Sequence, residues 1–188
     1  MNAAELGILD AIQNFFGCEF LDFLMPIITL FGDGGIFWIA LAAILLIFPK
    51  TRKTGLTMGI ALALGFLVGN IFLKNVVGRI RPYDLNPNFE LLVDKLHDYS
   101  FPSGHTLASF EASVSIFLYN KKFGIAAIIL AVLIAFSRLY LYVHYPTDVL
   151  TSIILGTAFA IISFLIVRKI YEKINKKSAS LESYFKGQ

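Results

Sequence analysis

Apolar residues in this chain come in long runs, and polar residues collect in the gaps between them. Phe20–Phe31 and Ile36–Phe48 flank Gly32-Asp33-Gly34-Gly35, a turn signal, and together predict a helical hairpin. Each run is shorter than the ~20 residues a membrane span needs, so both are expected to extend into their flanks. If neither spanned, the sidedness of everything downstream would be unchanged. Gly55–Leu73, Phe123–Tyr142 and Val149–Val167 are of spanning length, and His105–Leu118 predicts a more polar helix among them. Gly55, Gly59, Gly65 and Gly69 would let neighbouring helices approach closely. Ahead of these runs, Leu6, Leu9, Ile12 and Phe16 recur at helical spacing opposite Glu5, Asp10 and Asn14. That pattern predicts an amphipathic helix over Ala3–Phe16, lying in the membrane interface or packed on the domain's own surface. Residues 75–103 form a polar connection with Pro82, Pro87 and Pro102, too long for an idle turn. The basic tail from Arg168 is expected to project as a frayed helix.

The resulting expectation is an all-α polytopic bundle of six spans with an N-terminal interfacial helix, built as one domain over residues 1–188. Composition agrees: 57% of residues are hydrophobic and only 15% charged, with a mean hydropathy of +0.73, far from soluble averages. The net charge of +3 is too small and too scattered for a nucleic-acid partner. A single cysteine, Cys18, excludes an intrachain disulfide framework and a thiolate-rich metal site. The first 49 residues hold no Lys or Arg, so a cleavable signal peptide with a basic start is not expected.

Charge placement predicts topology. Lys50, Arg52, Lys53, Lys121, Lys122 and six Lys/Arg from Arg168 onward fall on one side, eleven in all. The other side holds five: Lys74, Arg79, Arg81, Lys95 and Arg138. The positive-inside rule places the richer side and the C-terminus in the cytoplasm. The sparser side then faces out, in a cell membrane.

Candidate chemistry gathers on that outer side. Ser137-Arg138 is followed, after five intervening residues, by His144 and then by Asp148, at the junction of two apolar runs. Ionisable groups there must pair with one another, line a wet cavity or serve a function. His144 and Asp148, four apart, could form a structural hydrogen bond. Equally, the carboxylate could hold one imidazole nitrogen and free the other for chemistry. Arg138 could snorkel to headgroups or offer its planar fork to phosphate oxygens. A metal site is disfavoured, because Arg138 would repel a cation and no further His/Cys/Glu cluster completes a ligand set. Two more stretches matter: Lys74 with Arg81-Pro82 seven residues on, and Pro102-Ser103-Gly104-His105. Ser103 and Gly104 precede a predicted helix whose free N–H groups can grip an anion.

In order and internal spacing these three parts resemble the signature of the type 2 phosphatidic acid phosphatase (PAP2) superfamily. The resemblance covers Phe72 to Gly156 by motif and the remainder by its apolar pattern. It implies an integral-membrane lipid phosphatase that needs no metal or other cofactor. His144 would be the nucleophile, forming a phosphohistidine, with Asp148 orienting it. His105 would protonate the leaving group and then activate water. Lys74, Arg81, Ser103, Gly104 and Arg138 would bind the substrate phosphate. The partners implied are the bilayer and a lipid phosphate: phosphatidate, phosphatidylglycerol phosphate or a polyprenyl diphosphate. The small size resembles bacterial members that recycle undecaprenyl diphosphate. A lipid phosphotransferase using the same site, or an anion or lipid transporter with a cationic binding site, are the competing readings.

Many relatives carry glycine where this chain has Tyr142 and Ser152. Glu111, inside a predicted span, either supports a signature residue or pairs with a serine of a neighbouring helix. Asn70 is read as interhelical glue, Arg79 and Asp84 as a solvated salt bridge or substrate contacts, and His97 as a loop residue.

Overall fold

The computed structural model describes residues 2–86 and 89–186, and every regular element among them is helical. Pro87, expected in the long connection, lies outside the described residues. In chain order the helices are α1 (Asn2–Phe16), α2 (Glu19–Leu30), α3 (Ile36–Ile47), α4 (Arg52–Gly65), α5 (Lys74–Val77), α6 (Pro82–Leu85), α7 (Gly104–Tyr119), α8 (Lys121–Tyr140) and α9 (Pro146–Lys186). A π-helical stretch, Phe66–Leu73, joins α4 to α5. Four stretches are long and apolar enough to cross a membrane: Glu19–Ile47, Arg52–Leu85, Lys121–Tyr140 and Pro146–Lys177. Phe66, Phe72, Ile129 and Ile154 stand more than half exposed, an apolar exterior suited to lipid.

Helix α7 is the hub, packed against α4, α8 and α9. Its polar character follows from that position. Ser109, Ala112, Ser113 and Ser115 are fully buried, and small side chains let three neighbours close in. Trp38 of α3 donates its indole N–H to Ser109 Oγ at 3.0 Å, and Gly124 of α8 lies against the Phe117 backbone. Ser103 caps α7 by accepting from the Thr106 N–H, and Asn120 caps α8 by accepting from the Phe123 N–H at 3.2 Å. On the α4 side, a Cβ at Gly65 would collide with the Glu111 carboxyl and one at Gly69 with Leu107, the close approach expected of these glycines. Gly59 has open space instead.

The expected α2–α3 hairpin is absent. The chain does turn at Gly34 and Gly35, whose φ angles of 56° and 66° favour glycine. Beyond that turn α2 packs on α8, whereas α3 packs on α4. Both ends of α2 meet the same end of the bundle. Asp22 accepts from the Tyr140 hydroxyl at 2.5 Å, Thr29 accepts from Arg138, and Asp33 just beyond pairs with His105 at 2.6 Å. A helix of 12 residues, ~18 Å long, that touches one end of the bundle at both of its own ends lies across it. Of the six spans expected, the described residues supply four candidates by length and composition.

Helix α1 docks at that same end. Leu9 is fully buried in a cluster with Met25, Tyr140, Leu141 and Val143, against which Leu6 and Ile12 also pack. Asp10 and Asn14 face outward as their periodicity predicts, but Glu5 does not: it is buried at 6% exposure. At the other terminus α9 continues to Lys186, so the basic segment is helical and continuous with the last apolar stretch.

Candidate active site

The loop that joins α8 to α9 forms the floor of the site. Pro146 opens α9, and Asp148 reaches back to accept the Tyr145 N–H at 3.0 Å, a capping arrangement that locks its carboxylate in place. Both the Val143 and His144 N–H groups turn back to the Arg138 carbonyl, at 3.2 and 3.3 Å. This tight reversal puts Tyr142 at φ 59°, a left-handed conformation that costs a non-glycine residue on the order of 1 kcal/mol or more. Its ring offsets that cost by stacking on Phe89 with centroids 4.2 Å apart, while its hydroxyl donates to Asp10 at 2.7 Å. Tyr142 is thus an anchor between this loop and α1.

His144 is 1% exposed and held from both sides. Its Nε2 lies 3.3 Å from Arg81 Nη1, a group that only donates, so Nε2 presents its lone pair and the proton sits on Nδ1. Nδ1 lies 3.4 Å from Ser100 Oγ and 3.6 Å from Asp148 Oδ2. Ser100 itself donates to Asp148 Oδ2 at 2.5 Å. The expected His144–Asp148 pair therefore exists as a triangle with Ser100 at its third corner. Burial, reinforced by the fields of Arg81, Arg138, Lys74 and His105, holds the imidazole pKa well below its usual value. Those four residues come from four different segments of the chain, and all of them act on one ring.

Arg81 is 2% exposed and fully engaged. Its donors reach the Asp98 carbonyl at 2.9 Å, the Val143 carbonyl at 2.7 Å, the Asp98 carboxylate at 2.5 Å and the Tyr99 carbonyl at 3.3 Å. Lys74, delivered by the end of the π-helical stretch, pairs with the same Asp98 carboxylate. Arg138 donates to Thr29, and its buried Nε has no partner among the described residues. The Ser103 hydroxyl is committed to Thr106 at 3.0 Å. Gly104 backs onto Asn70, where a Cβ would sit 3.0 Å from the side-chain oxygen.

A cavity of about 1230 Å³ opens in front of this cluster. Lys74, Asn70, Asp98, Gly104 and His105 line its polar end, while Ile39, Leu46, Leu62 and Phe66 line its apolar length. Arg81, Arg138, Ser103, His144 and Asp148 are buried behind that wall. His97 also lines the cavity, beyond its expected role as a loop residue. Asn70 is not the glue expected of it, since its buried Oδ1 lacks a partner among the described residues. Glu111 faces Gly65 with Oε1 likewise without a hydrogen-bond partner among the described residues, and the Ser115 hydroxyl of its own helix donates to its backbone carbonyl at 2.7 Å. Arg79 is ion-paired, but with Glu5 and Asp148 and away from solvent, while Asp84 is exposed.

Asp98 was not visible as a site residue in the sequence, yet its carboxylate occupies the two cations expected to hold phosphate. Burial alone would raise its pKa; Lys74 and Arg81 outweigh that and hold it at about 2, so it is an anion at every working pH. It is half exposed and lines the cavity, where it neutralises the two cations expected to bind phosphate. Asp98→Asn is expected to tighten inhibition by inorganic phosphate about tenfold, the weight of the two partly exposed ion pairs it frees, as measured by the inhibition constant.

The sequence and the fold are similar to those of known proteins. The PAP2 superfamily model matches residues 54–172. The chain is 41% identical over 133 residues to an undecaprenyl-diphosphatase of Sulfolobus acidocaldarius, covering 70% of this chain and 62% of that relative. It is 31% identical over 192 residues to the bacitracin transport permease protein BcrC of Bacillus licheniformis, covering 94% of this chain and 93% of the relative. Among solved structures, the transmembrane PAP2-type phosphatidylglycerolphosphate phosphatase of Bacillus subtilis superposes with a TM-score of 0.70 at 28% identity, over 92% of this chain and 86% of that one. The chain belongs to the PAP2 superfamily, as a membrane lipid phosphatase of that type.

Proposed function

We propose that this protein hydrolyses a lipid diphosphate or monophosphate through a phosphohistidine on His144, without a metal. The observation that carries the reading is the setting of that ring: a neutral, buried imidazole whose Nε2 lone pair meets Arg81 while Nδ1 is held by Ser100 and Asp148. In the first step Nε2 attacks the terminal phosphorus and the bond from it to the leaving oxygen breaks, the oxygen bridging to the inner phosphate in a diphosphate or the ester oxygen in a monophosphate. His105, steadied by Asp33 at 2.6 Å, gives the leaving oxygen a proton. In the second step His105 takes a proton from water, whose oxygen displaces Nε2 and releases inorganic phosphate. Lys74, Arg81 and Arg138 supply the positive charge the transferring phosphoryl group needs, and the Ser103 cap aims the α7 N-terminus at it.

An amphiphile suits a cavity that is cationic at one end and apolar along its length. The names of the relatives support a polyprenyl diphosphate, with undecaprenyl diphosphate the leading substrate and phosphatidate or phosphatidylglycerol phosphate next. The distribution of eleven Lys/Arg against five supports a site on the extracytoplasmic face and a cytoplasmic C-terminus. Helices α1 and α2, free of Lys and Arg, join the sparser side without changing the balance. The transport reading, which the Bacillus licheniformis relative's name carries, leaves a His–Ser–Asp arrangement without a task. A panel of purified lipid phosphates and diphosphates assayed with chelator present tests the proposal. Phosphate release undiminished by chelator, fastest from the diphosphate, is expected; substrate moved across a vesicle bilayer with no phosphate released would overturn it.

A further inference from the structure

Asp148 has two carboxylate oxygens, and the proposed reaction uses one. Oδ2 faces His144, Ser100 and the Tyr145 N–H. Oδ1 accepts from Arg79 Nη1 at 2.5 Å. The same Nη1 donates to Thr147 Oγ1 at 2.7 Å, and the guanidinium lies over the Tyr145 ring, 3.8 Å from its centroid. Nη2 of Arg79 pairs with Glu5 of α1. Glu5 Oε1 in turn accepts the Thr147 N–H at 3.1 Å and the Thr147 hydroxyl at 2.6 Å, which occupies a free donor at the start of α9. This is a closed network of three segments, with Glu5 and Asp148 buried and the Arg79 side chain 13% exposed.

We propose that Glu5 and Arg79 are positioning residues for the phosphatase reaction, acting through Asp148 on the ring of His144. Two physical facts lead there. A carboxylate held at one oxygen cannot rotate, so Arg79 fixes which oxygen Asp148 turns toward Nδ1. A full guanidinium charge on that carboxylate would compete with the imidazole for it, and Glu5 balances the guanidinium so that Oδ2 keeps its hold on the Ser100–His144 pair. Burial alone would raise the Glu5 pKa; its bonds to Thr147 and Arg79 bring it below the usual range, so the balancing charge is present at neutral pH. Helix α1 is then part of the active site, although it lies some 70 residues from the nearest signature part. Leu9, one turn after Glu5 and fully buried, sets the depth at which the carboxylate enters.

The inference rests on the phosphatase reading. Its test is steady-state and single-turnover kinetics of Glu5→Gln, Arg79→Met and Arg79→Lys in full-length protein, each made also in an Asp148→Asn background, with thermal stability measured alongside. Glu5→Gln and Arg79→Met are expected to lower kcat about 10- to 100-fold, as small misplacements of a reacting group do, with KM unchanged. Arg79→Lys restores the cation without the fork and recovers part of the loss. In the Asp148→Asn background none of the three lowers the rate further, because all act through that one carboxylate. Losses that multiply in that background would overturn the proposal, as would a raised KM with kcat intact, which marks a substrate contact. Should Glu5→Gln fail to fold, Arg79→Met and Arg79→Lys carry the same comparison. Unchanged kcat in the variants of an active protein sinks this inference alone, whereas an inactive wild type sinks the phosphatase reading beneath it.

Discussion

Replacing His144 with alanine is expected to abolish phosphate release, by at least about 10⁴-fold in kcat, the scale on which nucleophile removal acts in enzymes with covalent intermediates. The expectation follows from the position of the ring. His144 is 1% exposed, so no substrate group other than the phosphoryl centre needs to reach it. Its Nε2 is directed at Arg81, and no other described imidazole has both a donor fork on one nitrogen and a carboxylate on the other. The reversal at residues 141–145 is held by backbone bonds to the Arg138 carbonyl that do not involve the ring. A drop of only ~10-fold with stability intact would mean that another group attacks phosphorus.

Arg81→Ala should show two effects together. The rate should fall about 10²–10³-fold, the cost of removing one donor aimed at developing charge. The pH profile should also move. The nucleophile is the neutral imidazole, so kcat/KM falls on the acid side as pH drops through the His144 pKa. In the wild type that pKa lies well below its usual value because of burial first and the Arg81 field second, which puts this acid limb below pH ~6.5. Removing the cation favours protonation, raises the pKa and carries the limb to higher pH. An acid limb that stays in place or shifts lower would contradict the arrangement of Nε2 against Arg81.

The residues proposed to carry the chemistry stood out in the sequence because a Lys, an Arg or a His is conspicuous against apolar runs. Lys74, Arg81, His105, Arg138, His144 and Asp148 could be read that way, and their fields converge. Their partners could not. Thr29 sits in an apolar run with nothing to mark it, and Ser100 and Asp98 are ordinary loop residues until the chain folds back. Glu5 shares a periodicity with the exposed Asp10, and only the approach of Arg79 and Thr147 makes burying it favourable. The six spans expected meet four stretches of spanning length and apolarity among the described residues. Hydropathy reports that α2 prefers an apolar setting, which lying across the bundle end satisfies as well as spanning does. Asp22 and Thr29, each bonded to the end of α8, decide between the two. The positive φ at Tyr142 shows the converse. A departure from the family pattern was visible in the sequence, but its meaning as an anchor to α1 needed Phe89 and Asp10 in place.

The most direct measurement is to quench the reaction early in turnover with substrate carrying a labelled terminal phosphate and to map the label on the protein. The account predicts a phosphoryl group that acid removes and alkali leaves, located on His144, absent from His144→Ala and accumulating when His105 is replaced. Label on a serine, label on His105, or turnover at full rate with no labelled protein at any quench time would contradict it.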